Sequence, residues 1–220
     1  MPDEPLDLDL DEDEDENDED EDAYEDDPWI VAYCPVGPEL AAQLVEMAEL
    51  DWTDDDAGRQ ALTDAGWRSR PLPDDLDGTA YTPAGHVGYG DDCLFLPFAY
   101  EYYVHPAGAM AEDFWGTLPG WQRSTDQETD TFNDQLDAVA AQFTTLLGPP
   151  DHDVSHDRRP HSNGVWRYRV WRRGSNALVV APGLDPFSYS QFEHAFIQIR
   201  PLPADAPLPP ADELPDFFIW

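Results

Sequence analysis

The sequence predicts an α+β domain, an antiparallel β-meander packed with amphipathic helices, and three observations carry that expectation. Phe132, Leu136, Val139, Phe143 and Leu146 step by 4, 3, 4 and 3 residues, which is the spacing of one face of an α-helix. The chain after them alternates with period two. Trp166, Tyr168 and Val170 oppose Arg167 and Arg169, and Phe192, His194 and Phe196 oppose Ala195, Ile197 and Ile199. Finally, the long helix precedes a run of strands instead of alternating with them, an order that gives an antiparallel sheet with helices on one side.

Residues 1–27 come before all of this and hold 18 Asp or Glu and no base. Charges of one sign at that density repel and do not bury, so an extended, disordered acidic tail is predicted there. The domain is expected over 28–200. WIVAY, closed by Pro35 and Gly37, reads as a first strand. Pro38 then suits a first helical turn, and Leu40, Leu44, Met47 and Leu50 make one apolar face. A second helix is expected after Thr53 as N-cap, with Asp54 to Asp56 near its positive end, Gly66 as its stop and Trp67 packing back.

Residues 68–90 read as loop with short extended pieces. In the next strand candidate, Pro97 argues for an edge position or a bulge. Residues 107–121 suggest one or two helical turns. Gly148, Pro149 and Pro150 end the long helix. DHDVSHDRRPH is expected as a polar loop, RGSN as the turn between two meander strands, and 201–220 as a Pro-rich C-terminal tail.

Charge narrows the function. The formal net charge is −37, from 48 acids and 11 bases, and all the bases are Arg. A chain without lysine has no Schiff-base amine and no phosphate-loop lysine. A field this negative argues against direct nucleic-acid binding, which needs positive potential at the phosphates. The longest apolar run, CLFLPFAYEYYV, is too short to span a bilayer and contains Glu101, so no membrane association is expected. An acidic start lacks the pattern of a secretory leader, and Cys34 and Cys93 sit in no CxxC motif. Both are expected as buried thiols in a cytoplasmic protein.

Three constellations are candidates for function. His152, His156 and His161, interleaved with Asp151, Asp153 and Asp157, supply ligand types for a divalent metal, but a solvated loop explains them as well. Arg158, Arg159, Arg167, Arg169, Arg172 and Arg173 put six of the eleven bases within sixteen residues. Together with Trp166, Tyr168 and Trp171 they make a candidate partner-binding surface; the competing expectation is that they pair with the protein's own carboxylates. Phe217, Phe218 and Trp220 end the chain as a candidate docking peptide, with self-docking as the alternative. His194, between Phe192 and Phe196, is expected to be a core histidine and not a base, and no nucleophile elbow surrounds Ser188 and Ser190.

MAELDWTDDDAGRQALTDAGW, FNDQLDAVAAQFTTLLGPP, VWRYRVWRRGSNALVVAP and EHAFIQIRP together make a Trp-acid-helix-Gly-Trp block, an amphipathic helix and a Trp-rich meander. This grammar resembles small acidic bacterial proteins of the immunity type, which are encoded beside polymorphic toxins. The likeness covers about half of the chain and rests on structural motifs; the acidic tail, residues 68–120 and the FFIW end lie outside it. It implies a non-enzymatic inhibitor of one cognate effector; the negative charge points to a basic protein partner, and no cofactor is expected. The residues alone leave two other readings: a metal-dependent hydrolase using His152, His156 and His161, and an assembly subunit docking through FFIW.

Overall fold

The computed structural model describes residues 29–69, 79–90, 93–103, 118–125, 130–158, 164–185 and 192–218. The predicted acidic tail, the expected helical turns over 107–117, and Arg159, His161, Ser188, Ser190 and Trp220 lie outside these residues. The α+β expectation holds. Among the described residues ten strands form one antiparallel sheet, with the helices packed against it. Among the described residues, no helix is long and apolar enough to cross a membrane.

Strand β1 (Trp29–Tyr33) leads to helix α1 (Pro38–Met47) and helix α2 (Asp55–Asp64). The N-cap of α2 is Asp54, not Thr53. The Thr53 hydroxyl donates to Asp51 at 2.6 Å, and the free Asp54 carboxylate accepts from the backbone N–H groups of Asp56 and Ala57. Gly66 adopts φ 77°, which a residue with a Cβ resists, and Trp67 folds back into the core.

The short strands β2 (Arg68–Ser69), β3 (Thr79–Tyr81) and β4 (Val87–Gly90) build one end of the sheet. Strand β5 (Leu94–Tyr103) is interior, not an edge. β4 pairs with its first two residues and β1 with its last five, all along one side. Its other side pairs with β10 (Glu193–Pro201), and there the register shifts: Ala195 faces Ala99 while Phe196 faces Pro97. Phe98 is left unopposed. The expected bulge therefore falls beside the residue that has no N–H to give the ladder.

β6 (Gln122–Ser124) extends β1 on its far side, and helix α3 (Thr131–Leu147) follows. Next come β7 (His152–Asp157), β8 (Val165–Arg173) and β9 (Asn176–Leu184). The sheet order is β2-β3-β4-β5-β10-β9-β8-β7. The polar loop expected at DHDVSHD is corrected to strand β7, which pairs along β8 from His152 to Asp157. Its few apolar residues hid it, because an edge strand can be polar on both faces.

Each sheet face has its own cover. On one side α1 and α3 pack Leu40, Leu44, Met47, Phe132, Leu136, Val139 and Phe143 onto Leu96, Trp171, Val180 and Ile197. Leu146, the last member of the predicted stripe, is exposed. Two indoles fix the helix ends by satisfying carbonyls there: Trp52 Nε1 donates to Met47 at 2.8 Å and Trp171 Nε1 to Gly148 at 3.0 Å.

The other face carries Phe95, Trp166, Tyr168, Val179 and Phe196. It is covered by the stretch expected to be a tail. Leu202, Leu214 and Phe218 are buried there, the last two in a 3-10 turn (Ala211–Glu213) and helix α4 (Leu214–Phe217) and their exit. A third cluster joins Ile30, Ala32, Tyr100, Tyr102 and Trp121 near β1 and β6. Cys34 is buried as expected, whereas Cys93 is only half-buried.

Candidate functional site

Among the described residues of the arginine cluster, Arg167, Arg169, Arg172 and Arg173 are turned onto the protein's own acceptors. Arg167 forks onto Asp153, with Nε 2.6 Å from Oδ1, and this hydrogen bond holds the Asp153 carboxyl below the ordinary carboxylate range. Arg169 is largely buried and pairs with Asp137 of α3. Arg173 Nε lies 3.0 Å from Glu49 Oε1. Arg172 donates to the carbonyls of Leu202, Pro203 and Ala206 at 3.2, 2.9 and 2.7 Å. Arg200 donates to the Phe217 carbonyl and lies 4.4 Å above that ring. Arg158 lies 4.5 Å above the Trp166 ring.

These pairings leave carboxylates facing outward. The outer side of the helical layer exposes Glu39 and Glu46 on α1, Asp54 and Asp56 at the start of α2, and Asp130 and Asp134 on and before α3. The base on α2, Arg59, pairs with Asp56 at 3.1 Å. The field over that layer is therefore negative.

The aromatic residues predicted to meet a partner are placed elsewhere. Trp166, Tyr168 and Trp171 are 3%, 1% and 2% exposed, so they serve the core and offer no stacking platform. Trp166 and Tyr168 alternate on a strand face that the C-terminal segment covers, whereas Trp171 packs on the opposite face against Phe143 of α3. Phe218 is fully buried and Phe217 is half-buried against Arg200, so the self-docking alternative holds for these two rings. Arg167 remains exposed but is paired. His152 and His156 project from the same side of β7, four residues apart in an extended strand. That spacing is about 13 Å at 3.3 Å per residue, too far for one metal ion with bonds near 2 Å. Among the described residues, no group of three or more His, Cys, Asp or Glu is placed to hold a metal.

One cleft gathers polar side chains. It lies between the second sheet face and the C-terminal segment, with a volume of about 130 Å3. Trp166, Tyr168, Phe196 and Phe218 give apolar walls, and Arg158, His194 and Asp216 also line it. His194 is 1% exposed, and its Nδ1 lies 3.4 Å from Oδ1 of the equally buried Asp185. Burial pulls the His194 pKa down, which keeps the ring neutral, although Asp185 acts in the opposite direction. The Tyr100 and Phe95 rings pack on the imidazole with centroids 5.9 and 5.3 Å away.

Asp185 was not singled out from the sequence. The β9–β10 register, which sets His194 opposite Gly183, is the signal that brings Asp185 to it. Gly183 packs closely at this point: a Cβ there would sit 3.0 Å from the Phe196 ring and 3.1 Å from His194 Nε2. Compared with known proteins, the chain matches no family model, and no curated protein or solved structure is significantly similar to it.

Proposed function

We propose that the chain is a non-enzymatic binding protein that captures one basic protein partner, in the manner of an immunity-type inhibitor. The observation that carries this reading is the inward pairing of the arginines, which leaves Glu39, Glu46, Asp134 and the start of α2 as an outward negative layer. Complementary charge raises the rate of encounter and disfavours acidic competitors. The 18 acids of residues 1–27 strengthen the same field. Because Trp166, Tyr168 and Trp171 are committed to the core, contact falls on the polar helical layer. The reading places the protein in the cytoplasm, where thiols such as Cys34 and Cys93 stay reduced.

The test is affinity capture from the native cells with the full chain, at low salt and again at about 0.5 M salt, where exposed charges are screened within a few ångströms. Recovery of one basic protein at low salt only, with slower association for the triple variant Glu39→Lys, Glu46→Lys, Asp134→Lys, supports the proposal. A neutral or acidic partner, or capture indifferent to salt, overturns it.

A further inference from the structure

We infer that the outer edge of β7 is a docking site for an extended, basic segment of a protein partner, which joins the sheet there as a further antiparallel strand. The inference rests on the reading of a basic partner and adds where and how that partner is held.

Among the described residues the strand order ends at β7, which pairs with β8 alone. The ladder shows which way the β7 backbone points. The Arg158 N–H donates to the Gly164 carbonyl at 3.1 Å, in the same register that sets Asp157 opposite Val165. Bonded and non-bonded pairs alternate along an antiparallel ladder. His156, Val154 and His152 are therefore bonded to Trp166, Tyr168 and Val170, and Asp153 and Ser155 between them turn their N–H and C=O groups away from β8. Such groups at an edge are a template for another strand. β7 runs regularly for six residues, with no Pro, Lys or bulge to blunt it.

Charge selects the incoming strand. Asp151, Asp153, Ser155 and Asp157 are exposed, and the 3-10 turn that lies against β7 adds the exposed Asp212 and Glu213. Arg167 is taken by Asp153, while Asp151, Asp212 and Glu213 keep the edge negative. Arg167 and Arg169 share one side of β8 and reach Asp153 and Asp137 of α3, so the exposed side of β7 continues the negative helical layer. A second copy of the chain fits poorly. Two-fold pairing centred on Ser155 sets Asp153 opposite Asp157 of the other copy, and pairing centred on Val154 sets Asp151 opposite Asp157. A strand with Arg at every second position meets acid instead.

The probes are capped peptides of about ten residues, one alternating Arg with Val and one alternating Glu with Val, added to the full chain while amide hydrogen exchange is followed by NMR. The basic peptide is expected to bind saturably below about 1 mM and to slow exchange at Asp153 and Ser155 at least about tenfold, with the acidic peptide inert. Ser155→Pro removes an outward N–H and no bond to β8, so it should weaken the basic peptide at least about tenfold and keep the melting temperature of the wild type. A control on the peptide leaves the fold untouched. Arg residues opposite Asp153 and Ser155 form the bonded pairs, so N-methylation at the Arg positions should abolish binding and N-methylation at the Val positions should not. Equal binding of the two methylated peptides, equal binding of the acidic and basic peptides, or unchanged exchange at Asp153 and Ser155 overturns the inference. So does a dimer of the chain that Ser155→Pro dissolves. A basic partner captured equally well by Ser155→Pro overturns the edge and leaves the charge reading intact, whereas a neutral or acidic partner sinks that reading and the peptides still judge the edge.

Discussion

Tyr168 and Phe218 stack with their ring centroids 5.9 Å apart and their planes 22° from parallel, although fifty residues separate them. This contact turns the C-terminal segment into a layer of the fold. The sheet has one face under α1 and α3, and without residues 202–218 the other face would expose Phe95, Trp166, Tyr168 and Phe196. Arg172 and Arg200 tie the segment's carbonyls down at either end. Arginine serves there as a structural donor to irregular backbone that has no ladder of its own.

Ending the chain after Pro210 should therefore destabilise the domain and expose apolar surface. Phe218→Ala alone should cost about 3–5 kcal/mol, the usual range for a buried Phe truncated to Ala. Urea unfolding followed by tryptophan fluorescence measures this. An unchanged midpoint for Phe218→Ala would show that the segment is not part of the cooperative unit.

Much of the fold was legible because periodicity and burial agree locally. The stripe from Phe132 to Phe143 was readable because α3 buries one side, and β8 and β10 were readable because their alternate residues go to two separate apolar clusters. Three features were not readable, each for a physical reason. β7 is a polar edge strand, so its pattern carries no apolar period. Pro97 marks the bulge, but a bulge occurs in interior strands as well as at edges. Residues 202–218 are rich in proline and acid, and only Leu202, Leu214 and Phe218 reach the core, too sparse a set to give a period. The cleft was hidden for a related reason, because Arg158, Tyr168 and His194 meet only once the sheet register is known.

Gly85 and Gly120 meet backbone to backbone. Both have positive φ, 107° and 90°. A Cβ on Gly85 would fall 2.0 Å from the Pro119 carbonyl oxygen, and one on Gly120 would fall 1.9 Å from that of Ala84. Trp121 Nε1 seals the contact with a hydrogen bond to the Gly85 carbonyl at 3.0 Å. Gly85→Ala or Gly120→Ala must break this approach as well as strain φ, so each should lose more than about 2 kcal/mol. Gly66→Ala meets no atom within 4 Å and should lose only the conformational part, about 1 kcal/mol. Comparing the three by thermal unfolding separates collision from strain; three equal losses would contradict the packing account.

Asn176 joins the sheet to the end of α1. Its Nδ2 donates to the carbonyls of Ala48 and Leu50 at 2.9 and 2.6 Å, and the residue is 1% exposed. These carbonyls lie past the last helical turn and have no partner in the helix. Asn176→Leu should cost about 2–3 kcal/mol by leaving both without a donor. Hydrogen exchange should rise first at the C-terminal turn of α1. A loss spread evenly over the protein, with no local change there, would argue against this role.

His86 should make stability fall on acidification in a window that its burial defines. The ring is fully buried; Nε2–H donates to the Cys34 carbonyl at 3.0 Å, and Nδ1 accepts from the Thr82 hydroxyl at 3.1 Å. Since a carbonyl only accepts, this arrangement fixes the neutral ring with its proton on Nε2. Burial pulls the pKa down to about 4, against 6.5 for the free side chain, and the bond to Cys34 only partly opposes it. Between those two values the unfolded chain binds a proton that the folded chain refuses, so this contribution is intact above pH 6.5 and is lost as pH falls toward 4. By then the loss is on the order of 3 kcal/mol. His194, also pulled down by burial, adds to it in the same direction. Asp153, whose pKa is lowered by Arg167, keeps its stabilising contribution until the pH drops below the ordinary carboxylate value of 3.8. Unfolding free energies of the wild type and His86→Gln, measured from pH 7.5 to 4.5, should converge as pH falls, because only the wild type carries the His86 proton linkage. Parallel curves across that range would show that His86 is not the titrating group.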